Sequence, residues 1–263
     1  MSRSAAAIDA AAADGRAALM CYLPVGFPTI DVSVRAAKAA VAAGADIIEL
    51  GLPYSDPGLD GEVIQDATTA ALAGGTRTRD VLRAVEEVAQ TGAAVLIMTY
   101  FNPVLRYGVA RFARDLHSAG GAGLITADIV PEEAGAWIAA ADEHELDKVF
   151  LVAPSSTDAR LAITAKASRG FVYAASTMGV TGVRAQVDSQ ARDLVARTRA
   201  AGAQRVCVGL GVSTAEQARE VASYADGVIV GSALVRRLMT DDHDAAIADL
   251  ANLTSELASG TRR

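Results

Sequence analysis

Glu49 is the side chain best placed to trade a proton. It stands in the short apolar run Asp46-Ile-Ile-Glu-Leu-Gly51, which breaks into a Gly/Pro-rich loop carrying Asp56 and Asp60. A strand repeats its side-chain direction every second residue. Ile47 and Glu49 therefore share one face, and Ile48 and Leu50 the other. On a central strand Glu49 points into an apolar interior. An ionised carboxylate is costly there without partners, so such a group raises its pKa or finds a proton to trade. The plainer reading is a strand-end Glu that caps a helix or pairs with an Arg. Asp60, on the loop, meets more water than Glu49. Two carboxylates in unlike environments are a known route to acid and base chemistry at neutral pH. Asp56, within Ser55-Asp-Pro57, reads as a brace for its own turn.

The elements that must position these groups follow from the pattern of apolar runs and breakers. Residues 4–14 read as a leading helix, and 19–23 as a strand. Thr29 or Asp31 caps a helix to Ala43, which Gly44 ends. The Glu49 run is the second strand. Helices follow over 62–73 and 79–90, the latter with Thr78 as its cap. Strand three is 94–99, Tyr100-Phe-Asn-Pro103 is a turn, and 109–118 is a helix. Strand four lies within 121–126, and Pro131 starts a helix to Glu143. Strand five is 146–152, a helix begins at Ser155-Ser-Thr-Asp158, and strand six is 171–174. A polar stretch, 176–188, precedes a helix over 190–200. Strand seven is 205–208, and Ser213-Thr-Ala-Glu216 is a capping box. Strand eight is 227–230, and 245–258 is the last helix.

Eight strands each followed by a helix, without a linker or a break in composition, predict a parallel sheet. Eight such units in about 250 residues are the count and size of a (β/α)₈ TIM barrel. The expectation is one α/β domain over 1–263, with extra helices in the loops. The alternative, a doubly wound open sheet, more often has five or six strands. Half the residues are hydrophobic but only 5% are aromatic, so Ala, Val, Leu and Ile build the core. The formal charge is −7, and no Lys/Arg run interleaves with aromatics, which argues against nucleic acid as a partner. Cys21 and Cys207 lie in strands and read as small core residues. No apolar run reaches the ~20 residues needed to span a bilayer. The Ala-rich start has no strongly apolar signal core, so the expected location is cytoplasmic.

In a barrel, chemistry sits at the C-terminal ends of the strands and in the loops that follow them. His117, His144 and His243 fall on or beside helices. Lys38 and Lys166 are on helices, and Lys148 is at the wrong end of its strand. Metal-ligand spacing is missing, as is a strand-end lysine for an imine. Glu49, Asp56, Asp60, Asp128, Tyr22, Tyr100 and Tyr173 survive this filter. Asp128 reads as the cap of the helix it precedes. Gly209-Leu-Gly211 and Gly231-Ser232 end strands seven and eight, where barrels commonly bind phosphate through backbone N–H groups and a helix N-terminus. Met178-Gly-Val-Thr181-Gly182 is either a lid over that anion or a loop without a role. Physics alone reaches a metal-free barrel enzyme using carboxylate acid–base chemistry on a small phosphorylated substrate.

The residues also resemble a known family. Glu49-Leu-Gly-Leu-Pro-Tyr-Ser-Asp-Pro57, with Asp60-Gly61 and Ile64-Gln65, is similar to the signature of the tryptophan synthase alpha chain. Met98-Thr-Tyr100-Phe-Asn102-Pro103, Gly179-Val-Thr181-Gly182, Gly209-Leu-Gly211-Val-Ser213 and Gly231-Ser232-Ala233 follow in family order and spacing. The resemblance covers nearly the whole chain. It implies retro-aldol cleavage of indole-3-glycerol phosphate to indole and glyceraldehyde 3-phosphate. It also implies a beta-chain partner in an α2β2 heterotetramer, with pyridoxal phosphate only in that partner and no cofactor here. It assigns acid–base work to Glu49, the indole N–H to Asp60, and support of Glu49 to Tyr173. Tyr22, Met98, Tyr100, Ile125 and Leu151 would line the indole pocket. Gly182, Gly211, Gly231 and Ser232 would hold the phosphate, with Thr181 and Leu210 beside them. Another metal-free phosphosugar isomerase or epimerase remains an alternative. So does a non-catalytic barrel that activates a beta-type partner.

Overall fold

The eight apolar runs form eight parallel strands closed into one barrel: β1 (Ala18–Pro24), β2 (Ile47–Gly51), β3 (Ala94–Thr99), β4 (Gly123–Thr126), β5 (Asp147–Val152), β6 (Val172–Ala175), β7 (Val206–Gly209) and β8 (Gly227–Val230). The chain order is the barrel order, and β8 pairs back onto β1 with Cys21 opposite Val230. The computed structural model describes residues 2–175, 184–209 and 211–263, without the side chains of 184–188.

The period-two pattern sorts the core into two shells. Met20, Ile47, Leu96, Ile125, Val149, Cys207 and Ile229 fill the barrel interior. Their strand neighbours Leu19, Cys21, Ile48, Leu50, Val95, Ile97, Leu124 and Phe150 face outward against the helices. Both cysteines are buried and free, as small core residues should be. Helix α1 (Arg3–Ala13) closes the floor of the barrel, where Ile8 and Ala11 join the interior cluster. It is held there by Asp147, whose Oδ2 accepts the Ser4 backbone N–H at 3.1 Å and the Ser4 hydroxyl at 2.6 Å.

The outer ring contains α2 (Ile30–Ala42), α3 (Glu62–Ala73), α4 (Thr78–Ala89), α5 (Phe101–Tyr107), α6 (Val109–Ser118), α7 (Gly135–Glu143), α8 (Asp158–Ala167), α9 (Arg184–Ala200), α10 (Ala215–Ala222), α11 (Ser232–Arg237) and α12 (His243–Gly260). Thr29 caps α2 by accepting from the Val32 N–H. Several local expectations shift. Tyr100-Phe-Asn-Pro103 does not simply turn: it opens α5, with Pro103 in the first turn, where its missing N–H costs nothing. Residues 131–134 are irregular, and α7 starts at Gly135 rather than Pro131. Thr78 is the first helical residue of α4; the Asp80 carboxylate accepts from the Arg77 N–H instead. The capping box of α10 sits one residue on, with Thr214 accepting from Gln217 and the Gln217 side chain from Ser213. Helix α9 begins earlier than residue 190, and α11 is an added short helix directly after β8.

Candidate active site

Glu49 projects into the barrel. Its neighbours in register are Tyr22 on β1 and Leu96 on β3. It is 0% exposed, and neither carboxyl oxygen has a hydrogen-bond partner among the described residues. The strand-end alternatives, a helix cap or an Arg pair, therefore do not hold for it. Burial alone pushes its carboxyl up to about 8, so at neutral pH Glu49 carries a proton. Tyr173, on β6, has its phenol raised well above its ordinary value, first by burial and then by the nearby Glu49.

Asp60 has a different environment. It is half-buried on the loop between β2 and α3, where its Oδ2 accepts from the Tyr100 hydroxyl at 3.2 Å. Its backbone carbonyl accepts from Gln65 Nε2 at 2.7 Å. The Tyr100 oxygen in turn accepts the Leu59 N–H at 2.8 Å, so one phenol from the end of β3 ties down the Asp60 loop. Tyr54 stacks on Tyr100 with centroids 5.2 Å apart. Burial raises the Asp60 pKa and the Tyr100 hydrogen bond opposes that rise. The two carboxyl groups thus differ as acid–base chemistry needs: one dry and unpartnered, the other anchored by a donor. Asp56 is exposed and accepts from its neighbour Ser55 at 2.6 Å, a brace within the turn.

A cavity of about 250 Å³ opens at the C-terminal rim of the strands. Tyr22, Asp60, Met98, Leu151, Tyr173, Gly211, Gly231 and Ser232 all line it, so one site gathers three of the five expected ring-wall residues with Gly211, Gly231 and Ser232 of the expected phosphate set. Tyr100 stands behind Asp60, in a smaller adjoining space. Ile125 is fully buried inside the barrel and is not part of the cavity wall; it packs level with Met98 and Val149. Thr181, Gly182 and Leu210, with the rest of the candidate lid over 176–183, lie outside the described residues.

Two glycines have a steric reason. A Cβ at Gly51 would collide with the Tyr22 hydroxyl, and one at Gly209 with the Tyr173 hydroxyl. Each phenol thus lies over bare backbone of the next strand. Gly211 adopts φ +68°, a left-handed conformation that favours glycine. Gly231 caps α11, whose first turn opens onto the cavity at Ser232. The N–H groups of a first helical turn have no partner within the helix, which suits an anion.

Sequence reasoning missed Leu59, Gly61, Ile64, Ala175 and Ile229 as wall residues. Two of them had a signal: Ala175 stands two residues after Tyr173, and Ile229 two before Gly231, on the same inward faces. Asp128 was misassigned. Its Oδ1 accepts the Phe101 N–H at 2.7 Å, so it caps α5 rather than the helix that follows it. His117 lies in α6, His144 ends α7 and His243 starts α12, and none of the three lines the cavity. Among the described residues no cluster of three or more His, Cys, Asp or Glu could hold a metal, and no helix is long and apolar enough to cross a membrane.

A closed (β/α)₈ barrel with an inward protonated carboxyl, an anchored second carboxylate and a glycine-edged cavity at the strand ends belongs to the barrel enzymes of acid–base chemistry. The family profile of the tryptophan synthase alpha chain matches residues 8–262. The alpha chain of Mycobacterium marinum is 58% identical over 262 residues, covering 100% of this chain and 96% of that one. A structure of Mycobacterium tuberculosis tryptophan synthase superimposes with a TM-score of 0.92 at 56% identity, covering 100% of this chain and 99% of that chain. A tryptophan synthase complex from Pyrococcus furiosus gives a TM-score of 0.83 at 31% identity, over 92% and 98% of the two chains.

The chain belongs to the tryptophan synthase alpha chain family. It is an enzyme of tryptophan biosynthesis, a carbon–carbon lyase acting on indole-3-glycerol phosphate. The isomerase and non-catalytic alternatives are set aside.

Proposed function

We propose that Glu49 performs both proton transfers of the retro-aldol cleavage. Protonated at rest, it delivers its proton to indole C3 and becomes a carboxylate. It then takes the proton of the side-chain hydroxyl next to that carbon. The O–H electrons form the new carbonyl, the carbon–carbon bond breaks, and its electron pair returns to the ring. Indole and glyceraldehyde 3-phosphate leave, and Glu49 has its proton back. Asp60 accepts the indole N–H and offsets the positive charge of the protonated ring. Tyr22, Met98 and Leu151 hold the ring, Tyr173 flanks Glu49, and Tyr100 sets the Asp60 loop. Backbone at Gly211, Gly231 and Ser232 receives the phosphate, with Thr181, Gly182 and Leu210 completing that side. Ile125 supports the ring pocket from beneath.

The observation that carries this reading is the buried carboxyl without a partner, raised by desolvation alone. No imine or metal is needed, because the ring nitrogen accepts the electrons once C3 is protonated. The chain, a single barrel domain, works without its own cofactor in the cytoplasm. It pairs with a beta chain that carries pyridoxal phosphate and consumes the indole, in an α2β2 assembly. The test is indole release from indole-3-glycerol phosphate, measured with and without a beta chain. Glu49→Gln should abolish cleavage while phosphate-ligand binding persists, and Asp60→Asn should be severely impaired. Near-normal turnover by Glu49→Gln overturns the assignment.

A further inference from the structure

Beside the main cavity, against Asp60, lies an annex of about 20 Å³. Tyr22, Asp60 and Met98 border both spaces, so the annex adjoins the main cavity across those three residues. Its far side brings together the side chains of Tyr54, Thr68, Thr99 and Tyr100, with Leu52 and Ala127 between them. Tyr54 and Tyr100 are stacked, the Thr99 hydroxyl donates to the Leu52 carbonyl at 3.1 Å, and Thr68 is only 4% exposed. The walls are therefore fixed by contacts among themselves. A space of this size holds one water or one substituent of a single heavy atom. The hydroxyl-rich lining suits a group that can donate and accept hydrogen bonds.

We propose that this annex is a specificity subsite for a hydroxyl on the benzo ring of the indole, at the carbon flanking the ring N–H (C7). The inference rests on Asp60 holding that N–H. With the N–H directed at Asp60, the C7 edge is the part of the ring nearest the annex, and the C4 edge is remote from it. The substrate class thereby extends to C7-hydroxylated indole-3-glycerol phosphates. A hydroxyl there can exchange hydrogen bonds with Tyr54, Thr68 and Asp60; a methyl group of similar size takes up the same space and makes none.

The experiment compares indole, 7-hydroxyindole, 7-methylindole and 4-hydroxyindole in two readouts with the complete chain. One is equilibrium binding by calorimetry in the presence of glycerol phosphate. The other is the rate of condensation with glyceraldehyde 3-phosphate, the reverse of cleavage. The expected order places 7-hydroxyindole near indole, with 7-methylindole and 4-hydroxyindole at least about tenfold worse. Ala127→Val, which fills the annex, should cost 7-hydroxyindole about tenfold or more and leave indole within about twofold. Thr68→Val, close in shape, should bring the hydroxyl and methyl compounds together and guards against a folding defect in the first variant. Equal handling of the C4 and C7 hydroxyls, or an Ala127→Val variant that does not discriminate, overturns the annex. Ring preference retained in binding while condensation is lost supports the annex and indicts the catalytic assignment of Glu49 instead.

Discussion

Replacing Glu49 by Gln should shift stability toward the variant as pH rises. In the folded chain Glu49 holds its proton up to about 8, against an ordinary value of 4.5. Between those two values the unfolded chain has released that proton and the folded chain has not, so stability falls as pH rises. Below 4.5 both forms are neutral and Glu49 costs nothing of this kind. Each pH unit in the window is worth about 1.4 kcal/mol. The penalty therefore reaches about 3 kcal/mol at pH 7 and levels off near 5 kcal/mol above pH 8. Gln cannot ionise in either state and is free of the penalty, whatever fixed offset its amide adds. The assay is denaturant unfolding of both proteins at half-unit steps from pH 5 to pH 9, with the unfolding slope checked for constancy. The stability difference should widen by about 1.4 kcal/mol per pH unit and flatten above pH 8. Parallel curves across this range would mean that the carboxyl is solvated or paired, and the resting acid would have to be sought elsewhere.

Other outcomes follow from the same geometry. Cleavage needs Glu49 protonated and Asp60 ionised, so kcat/KM should fall on the alkaline side near about 8 and on the acid side at a raised Asp60 pKa. Tyr100→Phe removes the hydrogen bond that holds the Asp60 pKa down; the acid limb of that profile should move upward, which a purely structural loss would not produce. Gly209→Ala would push the Tyr173 hydroxyl off its seat; turnover should drop well over tenfold by rate assay while circular dichroism stays native. Ser4→Ala removes a 2.6 Å hydrogen bond to buried Asp147 and should cost about 1.5–3 kcal/mol by denaturant unfolding without changing kcat.

The barrel was legible because its strands are short Val/Ile/Leu runs ended by Gly, Pro or a polar loop. Glu49 was legible because a carboxylate breaks such a run on its inward face. What could not be read was depth and distant capping. The family resemblance put Ile125 in the ring pocket, yet how far along the barrel axis a strand residue lies depends on strand stagger, which alternation does not encode. The helix at Phe101 escaped notice because its cap comes from Asp128, on another loop. That bond also explains why Asp128 looked like the cap of its own downstream segment: a lone Asp before a helix has the right type, and only the fold decides which N-terminus it meets. Tyr100 was expected beside the ring; its grip on Leu59 and Asp60 joins two loops and has no signal in either alone.

The seal at the floor of the barrel has a consequence for synthesis. Ser4 leaves the ribosome 143 residues ahead of Asp147, the group that anchors it. At usual elongation speeds that interval lasts about 7–30 s. An isolated segment of 11 residues is too short to remain helical alone in water. During translation the leading stretch is therefore an unfolded tether, and nascent chains stalled before Asp147 should lose it to brief protease treatment, whereas released chains should keep it. The bottom of the barrel is thus completed late, by a stretch made long before its anchor.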